Sequence, residues 1–415
     1  MGPRVRLAKL LPARTSARTL RLEGTENTTP EIFVLVGSLE VGGTERHLAT
    51  ILPRLVRMGW RASLYSMTGS GPLERDLEAG GVSVLMPPSS KQRGGARWGR
   101  LLRQGKLAWH LFSTMRARRP PIAHFFLPGA YLVGAPLALV AGVPVRLMSR
   151  RSLSNYQKSR WWIAHAEGLL HPTMTAILGN SRRVVEELAG ERGVSRDRLF
   201  LIYNGVDVSR FETGLSRASK RAELGLRDGT LVFTIVANLI LYKGHDDLIE
   251  ALGRCRSQLP KDWRLLVVGR DDGIGAALME KASALAIRDN LSLLGSRGDV
   301  PEILMASDIG VLSSHEEGFS NAVLEGMAAG LPMVVTDVGG NSEAVLDGEC
   351  GIVVPPHDPQ RLAEALISLA NDAEKRARYG EASRRRIGEH FSIEACAANY
   401  DTLYRDLLAR RADRS

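Results

Sequence analysis

Ser314-His-Glu-Glu-Gly-Phe-Ser-Asn-Ala-Val-Leu-Glu-Gly-Met-Ala-Ala-Gly-Leu-Pro332 is the stretch from which the rest of the chain can be read. The apolar run 309–314 reads as a buried strand. Glu317-Gly318-Phe319 reads as a loop, and Ser320 or Asn321 as the N-cap of a helix. Glu325 follows Glu317 by eight positions and falls in the early turns of that helix. Helical side chains lean towards the N-terminus, so Glu325 is aimed at the pocket Glu317 lines. Two carboxylates with helix N–H groups between them suit a ligand with both hydroxyls and phosphates, as in a nucleotide sugar. Acids at a helix N-terminus also occur simply to complement its dipole. That simpler account leaves the slim Gly326-Met-Ala-Ala-Gly330 unexplained.

The same strand, loop and helix recur in type along the chain. Short β-branched runs fall at 32–37, 63–67, 82–87, 122–126, 145–150, 174–180 and 200–205. A second set falls at 231–238, 265–269, 291–295, 309–314, 333–336 and 351–355. Apolar runs of this length, separated by helix-length segments, predict parallel strands with crossover helices. Two sets predict an α/β chain of two doubly wound, Rossmann-like domains. Charge agrees with that division: residues 1–200 carry a net +17 and residues 201–415 a net −7. The predicted organisation is a disordered basic tail at 1–30, a first domain at 31–206, a second at 207–390, and a C-terminal helix at 391–415 packing across the junction.

Composition excludes other classes. With 44% hydrophobic and 24% charged residues the chain is not intrinsically disordered. Three distant cysteines exclude a disulfide scaffold and offer no metal-ligand spacing. A basic first half implies an anionic partner, but no aromatic-basic RNA motif or Cys/His finger spacing points to nucleic acid. Residues 1–30 contain no signal-peptide apolar run. Residues 120–145 are uncharged and long enough to span a bilayer, yet Pro128, Pro136 and Pro144 divide them into strand, helix and strand.

Two further loops carry chemistry. Gly37-Ser-Leu-Glu-Val-Gly-Gly-Thr-Glu45 follows the first strand, and Gly42 and Gly43 admit a ligand close to the backbone where a helix begins. Its spacing matches neither a dinucleotide fingerprint nor a P-loop. Ala237-Asn-Leu-Ile-Leu-Tyr-Lys-Gly-His-Asp246 places Lys243 and Gly244 at a strand-to-helix turn, on the ligand-binding side of a doubly wound sheet. Lysine there is either a point charge for phosphate or a solvated loop residue.

Taken together, these elements resemble retaining glycosyltransferase family 4, the group 1 glycosyl transferases with the two-domain GT-B fold. The resemblance runs from about residue 31 onwards. It rests first on Glu317 and Glu325, then on Gly42-Gly43-Thr-Glu45, Tyr203-Asn-Gly-Val-Asp207, Lys243-Gly244, Gly269, Gly295 with Asp299-Val-Pro301, and Asp337-Val-Gly-Gly340. The resemblance implies a retaining, metal-independent enzyme without a cofactor. It would move a hexose from a UDP- or GDP-linked donor to a glycan or lipid-linked glycan, as in bacterial surface polysaccharide synthesis. No D-x-D triplet occurs, which fits. It also implies roles. Lys243 would neutralise the leaving diphosphate, and Glu317 would hold the transferred sugar. Gly318, Phe319, Ser320 and Asn321 would hold sugar and phosphate through their backbone, beside Gly244. Glu325 would bind the ribose. Gly42 and Gly43 would close on the phosphates, and Gly269 and Leu294 would border the base. Attack would come from the face the leaving group departs from, with a leaving phosphate oxygen helping to take the acceptor's proton. The alternatives are a nucleotide-sugar epimerase of the same fold and a non-catalytic module that binds glycan or lipid.

Two positions depart from the family pattern. Asn238 stands where the family usually has an arginine. Met148-Ser-Arg-Arg-Ser-Leu-Ser-Asn-Tyr156 stands where many relatives carry a sugar-contacting histidine. Arg150 and Arg151 are therefore candidate cleft contacts, and His124, in the middle of its own apolar run, is either another cleft contact or a core histidine.

Residues 91–119 open on Lys91, close on Arg119, and carry nine Lys/Arg and no acid. Trp98, Leu101, Leu102, Ala108, Trp109, Phe112 and Met115 recur at near-helical spacing. A basic amphipathic helix of this kind either docks on an anionic membrane surface or packs its apolar stripe on the sheet. The expected location is cytoplasmic, with peripheral attachment to the inner face of the membrane.

Overall fold

The structure is a computed structural model that describes residues 29–40, 42–88, 97–158, 160–212 and 216–413. The basic tail, apart from residues 29 and 30, and residues 91–96 of the basic stretch lie outside the described residues.

The chain divides into two compact units. The first comprises residues up to Tyr203 together with those from Glu394 onwards, and the second is Asn204–Ile393. In the first unit, β1 (Glu31–Val36), β2 (Arg61–Ser66), β3 (Ser83–Leu85), β4 (Ile122–Phe126), β5 (Val145–Arg150), β6 (Ala176–Gly179) and β7 (Leu199–Leu201) form one sheet. Its order is β3-β2-β1-β4-β5-β6-β7, and all pairings are parallel. In the second unit, β8 (Leu231–Val236), β9 (Trp263–Val268), β10 (Leu291–Gly295), β11 (Ile309–Leu312), β12 (Met333–Thr336) and β13 (Gly351–Val354) form a parallel sheet ordered β10-β9-β8-β11-β12-β13. Every predicted apolar run contributes a strand. Several strands are shorter than predicted because the runs continue into the loops beyond the ladder.

Helices cover both faces of a parallel sheet, so its strands are apolar throughout instead of alternating. Ile32, Phe33, Val34 and Leu35 are all fully buried. The core of the second unit gathers Phe233, Ile235, Leu265, Val267, Ile309 and Val311 under Leu248, Leu252, Leu362 and Leu366. The uncharged stretch 120–145 folds as β4, the helix Leu127–Val140 and the start of β5. Among the described residues no helix is long and apolar enough to cross a membrane. All three cysteines are buried and unpaired as disulfides.

The C-terminal helix is Ile393–Ala412, and from Glu394 it belongs to the first unit. Tyr400, Leu403, Tyr404 and Leu407 are buried along one face. Ala398 faces out, and Cys396 and Ala397 take the inner positions instead. Trp60 Nε1 donates to Asp401 Oδ1 at 2.7 Å, Arg54 pairs with Glu394 at 3.2 Å, and Cys396 Sγ donates to the Tyr203 carbonyl at 3.1 Å.

The basic helix runs Arg97–Arg118. Its apolar stripe divides. Leu111 and Met115 are fully buried and Phe112 packs against the core, whereas Leu102 and Trp109 point outwards, Trp109 with 69% of its surface exposed.

Candidate functional site

In an open α/β sheet, ligands bind where the strand order reverses, beyond the carboxyl ends of the strands. In the second unit that point lies between β8 and β11. Lys243 follows β8 and Glu317 follows β11, and their side chains meet, Lys243 Nζ to Glu317 Oε1 at 2.5 Å. Ser314 Oγ donates to the same carboxylate oxygen at 2.8 Å. Both groups stay reachable, with 18% of the lysine side chain and 10% of the glutamate side chain exposed. An ammonium has three donors, so pairing with Glu317 leaves protons for an incoming anion.

Backbone geometry fixes this arrangement. Gly244 adopts φ 65° and caps the helix His245–Cys255. A Cβ there would lie 1.9 Å from the Ser313 carbonyl oxygen, so only glycine lets the two loops come this close. Ser313 Oγ returns a bond to the Gly244 carbonyl at 2.8 Å. On the other side Gly339, at φ 54°, lies under the Glu317 and Gly318 carbonyls, and Gly340 N–H donates to Gly318 O at 2.8 Å. These contacts give Gly339 of Asp337-Val-Gly-Gly340 a physical reason to be glycine.

Ser320 caps the helix Asn321–Ala328, its Oγ accepting from Val323 N–H. Asn204 Nδ2 donates to the Phe319 carbonyl at 2.8 Å and to Asn321 Oδ1 at 2.7 Å, bracing the loop from 115 residues upstream. Glu325 is half-buried in this helix, with Arg210 Nη1 3.9 Å from its carboxylate. The Phe319 side chain is not available to a ligand. It is buried, with its ring 5.4 Å from that of Phe391.

At the next strand ends Gly269 N–H donates to the Gly295 carbonyl at 2.9 Å, and Leu294 is half-buried beside it. Asn238 Oδ1 accepts from Arg270 N–H at 3.1 Å. Asn238 therefore holds the start of a loop that carries its own guanidinium, exposed and paired with Asp272 Oδ1 at 2.6 Å. Arg270 is a cationic group at this edge that the local sequence pattern did not single out.

In the first unit the reversal lies between β1 and β4. Gly42 caps the helix Gly43–Arg57 with extended backbone. Glu45 folds back over Gly42, and burial raises its carboxyl pKa against the opposing pull of its own backbone hydrogen bond and of Arg151. His47, one turn in, is buried, and neither of its ring nitrogens has a hydrogen-bond partner among the described residues.

Two expected cleft contacts are corrected. His124 is fully buried, with Nδ1 2.8 Å from the Tyr404 hydroxyl and Nε2 2.7 Å from Ser149 Oγ. Burial, helped by the charge of Arg151, pushes its pKa down to about 3. Arg150 is locked between Glu167, at 2.8 Å, and Glu191. His124 has a partner on each ring nitrogen and Arg150 pairs with two carboxylates, so both are held inside the unit. Arg151 is half-buried beside Tyr400 and Glu45.

A pocket in the second unit is lined by Arg217, Lys220, Arg376 and Arg384, at the opposite ends of β11 and β12 from Lys243. Its cations are engaged with Asp308, Asp299, the Leu369 carbonyl and the Ala329 carbonyl. Among the described residues two groups have ligand atoms close enough to hold a metal ion: Asp247 with His315 and His357, and Glu167 with His171 and Glu191. The Arg150 guanidinium already occupies the second group.

Two Rossmann-like units, with a strand-end lysine and glutamate at the reversal point of the second, define a GT-B glycosyltransferase fold. Residues 216–386 match the family model described as Glycosyl transferases group 1, and residues 41–210 match Glycosyltransferase Family 4. The chain belongs to this family 4 type of glycosyltransferase. It is 31% identical over 211 residues to a D-inositol 3-phosphate glycosyltransferase of Nocardia farcinica, covering 49% of this chain and 47% of that one. It is 29% identical over 208 residues to an N-acetyl-alpha-D-glucosaminyl L-malate synthase of Bacillus anthracis, covering 50% and 53%. The chain spans about half the length of the curated relatives it matches. Among solved structures, the Anabaena protein HepE in complex with UDP and glucose has the same fold. It shows a TM-score of 0.78 at 22% identity and covers 91% of this chain and 100% of that one.

Proposed function

We propose that the protein transfers a hexose from a UDP- or GDP-linked donor to a glycan or lipid-linked acceptor with retention of configuration. The observation that carries this reading is the Lys243–Glu317 contact at the reversal point of the second sheet. In the reaction the bond from the sugar's anomeric carbon to the phosphate oxygen breaks. The acceptor oxygen bonds to the same face, and its proton passes to the leaving phosphate. Lys243 and the amides of the Asn321–Ala328 helix stabilise charge as it develops on the diphosphate, in place of a metal. Glu317 holds the sugar hydroxyls, and Glu325 accepts from the ribose. Relatives named for inositol-phosphate and malate acceptors, and a fold neighbour holding UDP, support the class. The test is mass-spectrometric product analysis over a panel of UDP- and GDP-sugars with sugar-lipid acceptors. A transferred hexose with the donor's anomeric configuration is expected. Donor epimerisation, or no turnover with any pair, overturns the reading.

The acceptor side faces an anionic membrane in this reading, through more than the basic helix alone. The chain has no Asp or Glu between Glu78 and Glu167, and Glu167 is sealed against Arg150. The helix Leu127–Val140 packs between Arg97–Arg118 and Trp161–Leu170. Together the three expose Leu102, Trp109, Leu139, Val140, Trp161, Trp162 and Leu169, with Trp161 77% exposed. Bulky apolar groups on a stretch rich in cations suit the headgroup boundary of an anionic bilayer. Replacing Trp161 and Trp162 with serine should abolish co-sedimentation with anionic liposomes. Equal sedimentation of that variant and the parent protein would remove this surface from the account.

A further inference from the structure

Asp247, His315 and His357 come from three separate segments of the second unit. Asp247 lies in the first turn of the helix after Gly244, His315 in the loop that carries Glu317, and His357 in the turn after β13. Their ligand atoms all lie within 4.8 Å of one another. His315 Nε2 is 2.8 Å from Asp247 Oδ2, and the two imidazole rings have centroids 3.7 Å apart. His357 holds φ 60°. A residue with a β-carbon in the left-handed region costs about 1–2 kcal/mol, and such positions cluster at ligand sites. The two imidazoles, tilted by 36° to one another, and the carboxylate thus bring one ligand atom each into the same small region.

We propose that Asp247, His315 and His357 bind one zinc ion or a similar first-row divalent ion, as a site separate from the donor diphosphate. Two imidazoles and one carboxylate are a donor set that zinc takes at about 2.0–2.2 Å, with a fourth position left open. Imidazole at two of three positions disfavours magnesium and calcium, which prefer oxygen ligands. Seating the ion replaces the His315–Asp247 hydrogen bond, so the pair separates slightly, and the exposed His357 closes the third side. His315 is two residues before Glu317, and a Cβ on Gly244 would lie 3.2 Å from His315 Nε2. The ion therefore fastens the Glu317 loop, the Lys243–Gly244 turn and the turn after β13 to one another. Its role is to position Glu317, whatever sugar that residue contacts.

The test is calorimetric titration of the chelator-treated protein with zinc chloride, followed by hydrogen exchange with and without zinc. The expected result is one equivalent bound, with affinity at least about tenfold weaker in His357→Ala and in Asp247→Asn. His165→Ala and His390→Ala, which alter exposed histidines elsewhere, should bind as the parent does. Zinc should slow amide exchange in residues 313–320 of the parent and not of His357→Ala. His357 is exposed, so its replacement should leave the fold intact, and circular dichroism checks this. No stoichiometric binding, unchanged affinity in His357→Ala, or equal loss in His390→Ala overturns the site. None of these readouts depends on transferase activity, so they test the site independently of the proposed reaction.

Discussion

The two sheets reverse strand order in the same way, yet they treat charge at the reversal in opposite ways. In the second unit Lys243 and Glu317 face each other at partly open strand ends. In the first unit His124 sits in β4 with no exposed surface, and Arg150 at the end of β5 is closed in by two glutamates. The same topology thus serves reactivity in one half and internal fastening in the other. What decides is whether a partner within the unit satisfies the polar group, because an unsatisfied buried charge is too costly to keep.

The largest effect that tests this contrast is on stability. Arg150→Met should destabilise the first unit by about 3–5 kcal/mol, since it leaves the buried Glu167 and the half-buried Glu191 without their cation. Thermal denaturation reads this, and a melting point within a degree or two of the parent's would show that Arg150 is no fastener. Lys243→Ala should do the reverse: near-parental melting with turnover about 100-fold lower at saturating donor, the scale of one lost charge-stabilising donor. Retained turnover would break the contrast from the other side.

A smaller effect concerns acid. His124 is held at about 3 against an ordinary 6.5, so below pH 6.5 the unfolded chain takes up a proton that the folded chain does not. Stability is therefore fully present above about pH 6.5 and declines as pH falls towards 3. His47 is also lowered by burial and adds in the same direction. His124→Asn removes one of these protons, so its melting temperature should fall less steeply between pH 6.5 and 4 than the parent's. Parallel curves would mean His124 titrates normally.

The strands were legible because parallel strands buried on both faces are continuous apolar runs with glycine or proline at their ends. That Lys243 and Glu317 meet was legible because each follows a strand end on the same side of the sheet reversal. Asn204 was visible only as part of a motif without a role, since its partners lie 115 residues away in sequence. The sequence left His124 between core and cleft for the same reason: its partner Tyr404 is 280 positions distant, and a lone histidine in an apolar run gives no sign of such a bond. Asp247, His315 and His357 come from three separate segments, a helix's first turn, a loop and a turn, and no local spacing links them.

The return of the chain to its first unit has a consequence for synthesis. The second unit is one uninterrupted stretch, Asn204–Ile393, whereas the first lacks its final helix until the ribosome has passed Glu394. Domains usually mature in the order in which they emerge. Here the later-made half can finish first, while Trp60 and His124 wait for Asp401 and Tyr404. A nascent chain stalled short of the last helix would carry a complete Lys243–Glu317 site beside an unfinished partner half, and it is that unfinished half a chaperone would have to shelter.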